Sequence, residues 1–349
     1  MISLLQELVR IPSPSREEGA VADFLEARLR SRGLEPRRCG NNLWCCSGSG
    51  PAVLLDAHID TVRPVSGWTR DPYSASLEDG RLYGLGSNDD GASAVALIAA
   101  FERLTARPQG YTLVLSLSAE EEDSGPNGLE TVLPEIEATC GPIVLGLFGE
   151  PTSLKMAVAE KGLMVLDCTV KGVAGHAARE LGVNAIYEAL PAIEWFRSKR
   201  FERVSPLLGP VKMSVTQIEA GTQHNVIPDI CRFVVDVRSN GLYSNEELLA
   251  LIEAEAPCTV VARSTRLCGS SLAEDHPLAQ RAKALGIPLV GSPTLSNQAL
   301  CRFPSVKMGP GDSERSHTAD EYVDVADIGK AAELYFELLD GYENLGQRI

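Results

Sequence analysis

The apolar positions of this chain follow two different rhythms. Over the first 150 residues, short continuous apolar runs alternate with stretches of helical periodicity. Runs at about 52–56, 111–118 and 143–148 read as strands, and helices are predicted over 2–10, 16–32, about 91–106 and about 128–138. Ser15-x-x-Glu18 reads as a capping box for the second helix, with Val21, Phe24, Leu25 and Leu29 on its apolar face and Gly33 as its stop. Strands alternating with helices predict a mostly parallel sheet covered on both faces.

From about residue 161 the rhythm changes. Residues 161–171 read as a strand, 184–197 as a helix, and 211–219 and 231–238 as two further strands. Ser244-x-x-Glu247 caps a helix carrying Leu248, Leu249, Leu251 and Ile252, and 258–264 is a last strand. This β-α-β-β-α-β order is a ferredoxin-like unit that can stand as its own small domain. After about 266 the first rhythm resumes, with a strand at 305–308 and a closing helix at about 326–341. The expected architecture is α/β: a discontinuous larger domain over 1–160 and 266–349, interrupted by a small domain over 161–265.

Composition narrows the partners. The 349 residues are 44% hydrophobic and 23% charged, which fits a globular enzyme. Forty-seven acids against 32 bases give a net charge of −15, which argues against nucleic acid or an anionic membrane as a partner. Nine cysteines without a repeated CxxC spacing read as reduced thiols. Met-Ile-Ser-Leu-Leu-Gln-Glu lacks the basic start and apolar stretch of a signal peptide, and no run is long enough to span a bilayer. The expected location is cytoplasmic.

The candidate chemistry centres on histidines and acids. Of only five histidines, His58, His176, His224 and His317 sit among glycines, prolines and acids. His58-Ile-Asp60 closes an apolar run, so an imidazole can bind a metal through one nitrogen while a nearby carboxylate holds the other. In open α/β sheets chemistry collects at the carboxyl ends of strands, and His58, Glu121, Glu122 and Glu150 all follow predicted strands. Mixed imidazole and carboxylate ligands suit zinc, with cobalt or manganese as substitutes. Asp89 lies in the glycine-rich turn Gly84-Leu-Gly-Ser-Asn-Asp89-Asp90-Gly91, which suits a rigidly aimed ligand shared by two metals. Three adjacent acids, Glu120, Glu121 and Glu122, repel one another unless a cation or solvent relieves them. His276 precedes Pro277 as a helix cap, and Arg238 is either a salt-bridge partner or a clamp for a carboxylate. No His-Glu-x-x-His, Gly-x-Ser-x-Gly, Gly-x-Gly-x-x-Gly or P-loop pattern is present, so dehydrogenase, kinase and serine-hydrolase readings lack support.

Together these segments resemble the dinuclear zinc amidohydrolases that include acetylornithine deacetylase, succinyl-diaminopimelate desuccinylase, aminoacylase and glutamate carboxypeptidase. The matching elements are Leu-Val-Arg-Ile-Pro-Ser (8–13), His58-x-Asp60-Thr-Val, Gly84-x-Gly86-x-x-Asp89, the Glu run and Gly149-Glu150-Pro-Thr. Further along come Gly172-x-x-Gly175-His176, Asn225-Val-Ile-Pro228, Asp236-x-Arg238 and Gly309-Pro-Gly311 with His317-Thr-x-x-Glu321. The chain looks closest to the acetylornithine deacetylase-like branch, whose relatives from Bacteroidetes-type bacteria act on an N-acylated ornithine or citrulline.

The resemblance implies a zinc-exopeptidase-like catalytic domain holding two Zn2+, with His58 and Glu150 on one ion, Glu122 and His317 on the other, and Asp89 bridging. It implies that Asp60 orients His58, that Glu121 is the base, and that His176 stabilises the oxyanion from the partner subunit of a homodimer joined through the inserted domains. Asn225 and Arg238 would hold the substrate, an N-acyl amino acid of arginine biosynthesis. A di- or tripeptidase or carboxypeptidase with the same centre is the alternative, and a non-catalytic metal-binding protein a second. Two positions depart from the family pattern: Ala57 stands where glycine is common before the metal histidine, and Asn297 where an aspartate is usual, which leaves the substrate contacts there open. Arg315, near His317, reads as solvent-exposed, with recognition of a succinyl carboxylate as its other use.

Overall fold

The computed structural model describes residues 1–179 and 181–342. Two compact units divide the chain. One comprises Met1–Val158, Leu272–Val290 and the chain from Ser296 onward, and the other Ala159–Ser271 with Gly291–Leu295.

The first unit is built on a mixed sheet. Its centre is parallel, with Thr112–Ser118, Ala52–His58, Ile143–Phe148 and Ser305–Lys307 side by side in that order. Every residue of Ala52–His58 and of Thr112–Ser118 is buried, which is why these strands read as unbroken apolar runs. The margins are antiparallel: Asn42–Gly48 pairs with Thr112–Ser118, Arg37–Cys39 with Asn42–Gly48, and Ala157 with Lys307. Neither of the first two strands was expected from the sequence.

Helices cover both faces. Ile2–Val9, Gly19–Ser31, Ala92–Leu104 and Val325–Leu339 share one core with Val53, Leu55, Leu113 and Leu115. Leu129–Cys140 packs on the opposite face against Leu54, Val114, Ile143 and Phe148. Helix Ala92–Leu104 is apolar all round (Ala94, Val95, Ala96, Leu97, Ile98, Ala100 and Phe101 are buried), as its central place between the sheet and other helices requires.

A separate three-stranded antiparallel sheet joins Ser76–Glu78, Arg81–Tyr83 and Tyr322–Asp324. Tyr83 lies opposite Tyr322, so the turn that starts at Gly84 begins beside the segment that ends at Glu321. Three-residue strands leave no periodicity to read.

The capping box does not form. Glu18 is the cap residue of Gly19–Ser31 but makes no side-chain cap bond. Its carboxylate instead accepts from the backbone N–H of Arg16 (2.6 Å), from Asn41 Nδ2 (2.8 Å) and from the backbone N–H of Glu120 (3.2 Å). Ser15 Oγ donates to Asp60 Oδ2 at 2.6 Å. A buried carboxylate with three donors outweighs a helix-end bond to one.

The second unit has strand order Lys212–Ala220, Ile230–Arg238, Leu163–Lys171, Thr259–Ala262, all antiparallel. Helices Ala185–Ser198 and Asn245–Glu255 pack Ala189, Ala192, Phe196, Leu248 and Ile252 against Leu166, Phe233 and Val235. Connectivity and order are those of a ferredoxin-like fold. Ser244 caps the second helix by accepting from the backbone N–H of Glu247, as its motif predicts.

Candidate metal centre

Three adjacent parallel strands end together and deliver the first acids and the imidazole. His58 is the last residue of the middle strand, Glu121 and Glu122 follow Thr112–Ser118 on one side, and Glu150 follows Ile143–Phe148 on the other. A ligand site at the carboxyl ends of a parallel sheet is where α/β folds place one.

Asp89 lies between the two histidines. His58 Nε2 is 3.1 Å from Asp89 Oδ1, and His317 Nε2 is 3.8 Å from Asp89 Oδ2. His317 Nε2 also lies 2.8 Å from Glu122 Oε2. One ligand atom each from His58, Asp89 and Glu122 falls within 4.8 Å of the others. The turn carrying Asp89 needs Gly86, whose φ is +75° and where a Cβ would lie 2.6 Å from Thr61 Cγ2. His317 itself adopts a left-handed backbone, φ 61°, a conformation histidine tolerates better than most residues.

His58 Nδ1 meets the backbone carbonyl of Asp60 at 2.9 Å, closer than the carboxylate Oδ1 at 3.4 Å. Its orientation therefore rests on main chain first. The Asp60 carboxylate, 1% exposed, has other work: Oδ1 accepts from the backbone N–H of Glu121 (3.0 Å), and Oδ2 from that of Glu122 (3.1 Å) and from Ser15 Oγ. It fixes the two glutamates to the strand end that carries His58. In the sequence Ser15 and Glu18 match a helix-cap motif, which conceals these tertiary partners.

The three glutamates take different parts. Glu120, with φ 54°, turns back and accepts from the Asn127 backbone N–H (3.1 Å) and Nδ2 (2.9 Å). Glu122 meets His317. Glu121 lies in the field of His58, Glu122, Asp60 and Asp89, with no side-chain hydrogen bond among the described residues.

Charge in the cluster is unbalanced. Burial, with the neighbouring acids, pushes Glu121 well above the usual carboxylate range. Glu150 is raised likewise by burial, opposed by the ammonium of the buried Lys307. Burial also raises Glu122, against its bond to His317. Burial works against a charged His58, yet its bonds to Asp60 and Asp89 outweigh this and hold its pKa well above the ordinary value. His317 is raised by Glu122. Five carboxylates around two imidazoles form a surplus of negative charge, and a pair of divalent cations suits that donor set.

The other expected site residues lie in the second unit. Gly175–His176 pairs antiparallel with Val226–Ile227, and the carbonyl of Asn225 accepts from the backbone N–H of Ala177 at 3.1 Å, so His176 and Asn225 share one ribbon. His176 is exposed, and its Nδ1 accepts from the backbone N–H of Ala178 at 3.1 Å. Arg238 makes a two-pronged pair with Asp236, Nε to Oδ1 at 2.9 Å and Nη2 to Oδ2 at 3.1 Å.

Asn297 is buried in the first unit, donating from Nδ2 to Ser118 Oγ (2.9 Å) and Asp56 Oδ2 (3.3 Å). Arg315 is half-buried and engaged by Asp324 (3.2 Å) and the face of Tyr322, rather than exposed. His276 accepts from the backbone N–H of Leu278 as a helix cap.

The chain is similar along its length to known proteins. Succinyl-diaminopimelate desuccinylase of Cereibacter sphaeroides is 28% identical over 98% of both chains, and that of Ruegeria sp. is 25% identical over 98% of this chain and 94% of its own. Among solved structures, aminopeptidase PepT of Bacillus cereus superposes with a TM-score of 0.75 at 19% identity, covering 97% of each chain. The Bacillus subtilis YXEP protein, described as a dinuclear metal-binding peptidase, superposes at 0.73 with 18% identity over 97% of this chain and 96% of its own. The profile of peptidase family M20/M25/M40 matches residues 54–341, and the chain belongs to that family.

Proposed function

We propose that this metal-dependent amidohydrolase cleaves the amide of an N-acyl amino acid, of the N-acetyl- or N-succinyl-ornithine or citrulline type, in arginine biosynthesis. The observation that carries the reading is Asp89, whose two oxygens face His58 and His317 separately. Two zinc ions, replaceable by cobalt or manganese, would be held by His58 and Glu150, by Glu122 and His317, and by Asp89 in common. When bound, such a pair polarises an amide carbonyl and lowers the pKa of water.

The chain's own residues do the rest. A Glu121 carboxylate oxygen takes the proton of the attacking water and passes it to the leaving amine nitrogen as the C–N bond breaks. Its burial and lack of a side-chain hydrogen bond suit a group that must gain and release a proton. Asp60 holds Glu121 and Glu122 by their main chain. In the proposed homodimer each chain's His176, with Nδ1 accepting from main chain, keeps Nε2–H as a donor for the oxyanion formed in the other subunit's site.

Arg238 retains free guanidinium donors beyond its bond to Asp236 and stands opposite Lys212 in the sheet, with Lys161 close enough for both cations to depress its pKa behind the effect of burial. A cationic corner of this kind suits a substrate carboxylate, with Asn225 as a further contact. Relatives named as desuccinylases support an N-acyl amino acid as the substrate class.

We further read the protein as a cytoplasmic homodimer joined through the inserted unit. Exposed Ile186, Tyr187 and Leu190 on one helix face, with Val173, Leu181 and Val183 nearby in sequence, supply an apolar surface for that contact. No helix among the described residues is long and apolar enough to cross a membrane.

The test is a hydrolysis screen of N-acetyl-ornithine, N-acetyl-citrulline, N-succinyl-ornithine and simple dipeptides with zinc present. Turnover confined to dipeptides would overturn the proposal.

A further inference from the structure

Glu321 ends the motif His317-Thr-x-x-Glu321 and has no place in the chemistry above. It is 2% exposed and forms no ion pair among the described residues. All of its partners belong to one turn. Oε1 accepts from the backbone N–H of Asn88 (2.9 Å) and of Asp89 (3.1 Å). The Glu321 carbonyl accepts from the N–H of Gly84 at 2.9 Å.

A second set of bonds ties the same segments. Asn88 Nδ2 donates to the Asp312 carbonyl (3.1 Å) and to Ser316 Oγ (3.3 Å), and Asn88 Oδ1 accepts from the Asp312 N–H (2.9 Å). Gly311, at φ +82°, leaves room for this, since a Cβ there would lie 2.4 Å from Asn88 Oδ1. Residues 84–89 and 312–321 are therefore laced together on both sides of the two side chains they present, Asp89 and His317.

A buried carboxylate without a cation is costly unless several donors converge on it. Here the donors are main-chain groups whose positions set the direction of the Asp89 side chain. We infer that Glu321 is a positioning residue for the metal pair: by gripping the turn at Gly84, Asn88 and Asp89 it aims the Asp89 carboxylate between His58 and His317, and so sets the spacing at which two cations are held. This rests on Asp89 being the shared ligand of the proposed function. It does not depend on which amide is cleaved.

The experiment is zinc titration of chelated protein against a chromophoric chelator, with thermal melting of the chelated form alongside. Wild type should take two ions. Glu321→Ala should lower the affinity for the second ion by about 10- to 100-fold, the scale of losing a group that orients a ligand. Glu321→Gln keeps the Oε1 acceptor and should recover most of that affinity. Should the alanine variant not fold, Glu321→Asp takes its place, since one methylene less withdraws the carboxyl group from the turn without removing it; it should also lose the second ion.

Unchanged affinities in the alanine or aspartate variant, with only the melting point lowered, would reduce Glu321 to a structural residue and overturn the inference. A glutamine variant as impaired as the alanine one would do the same, as would a wild type that takes a single ion. A wild type that takes two ions yet cleaves no N-acyl amino acid would sink the proposed substrate and leave this titration decisive for Glu321.

Discussion

Asn297→Asp tests the electrostatics of the sheet end without reference to catalysis. Asn297 Nδ2 lies 3.3 Å from Asp56 Oδ2 and 2.9 Å from Ser118 Oγ. Burial already pushes Asp56 up to about 6, against hydrogen bonds from Ser116, Ser118 and Asn297. An aspartate at 297 would replace a donor with a second buried carboxylate, and near neutral pH the pair would have to hold one proton. Keeping a carboxyl protonated at pH 7, when its unfolded value is about 3.9, costs about 1.4 kcal/mol per pH unit, or about 4 kcal/mol in all. An acid whose folded pKa is raised destabilises above its unfolded value, and the penalty fades as pH falls toward that value. At pH 5 it should be about 1.5 kcal/mol by the same arithmetic. At roughly 2–4 °C per kcal/mol for a unit of this size, the variant should melt about 8–16 °C below wild type at pH 7 and about 3–6 °C below at pH 5. Chelated protein, melted at both pH values, gives the comparison free of metal linkage. An equal deficit at the two pH values, or none at pH 7, would refute the reasoning.

Other outcomes follow from the same geometry. Glu121→Gln should retain two metals and lose about 10²- to 10⁴-fold in kcat, whereas Glu122→Gln should hold about one metal per chain by elemental analysis; equal activity in the two would refute the assignment. Ser15→Ala removes the 2.6 Å donor to Asp60 and should cost about 1.5–3 kcal/mol in denaturant unfolding with no change in metal count. Chelation should lower the melting point, because ions at 100 times their Kd contribute about 2.7 kcal/mol per site; an unmoved transition would contradict the centre. Chelated protein should also lose stability from pH 6 to pH 8. The raised His317 stabilises below its ordinary value of 6.5 and stops doing so as pH climbs through its folded value, while the raised Glu121 and Glu150 destabilise more as pH rises. Asp60 and Asp89 are lowered and titrate below this window. A flat profile would count against the cluster's charge balance.

The central strands and the inserted ferredoxin-like unit were legible because buried parallel strands read as unbroken apolar runs and the inserted strands alternate, as Ile230–Arg238 does. The antiparallel margin was not legible. Asn42–Gly48 mixes Trp44 and two cysteines with polar ends, and Arg37–Cys39, Arg81–Tyr83 and Tyr322–Asp324 are too short to show a period. Those short strands bring Glu321 to the Asp89 turn, so its part was hidden with them. Ser15 and Glu18 satisfied a local rule that tertiary bonds overrode. Asn297 was a departure whose meaning depended on Asp56 and Ser118, 241 and 179 residues away.

The 195 residues that separate Glu122 from His317 have a consequence for synthesis. A nascent chain that has emerged only as far as residue 160 already carries His58, Asp89, Glu122 and Glu150 but no second imidazole and no grip on the Asp89 turn. The ribosome must finish a whole intervening domain before the cage can close. On the proposed ligand set, the second ion waits for the end of translation, since a truncated product carries Asp89 and Glu122 without His317.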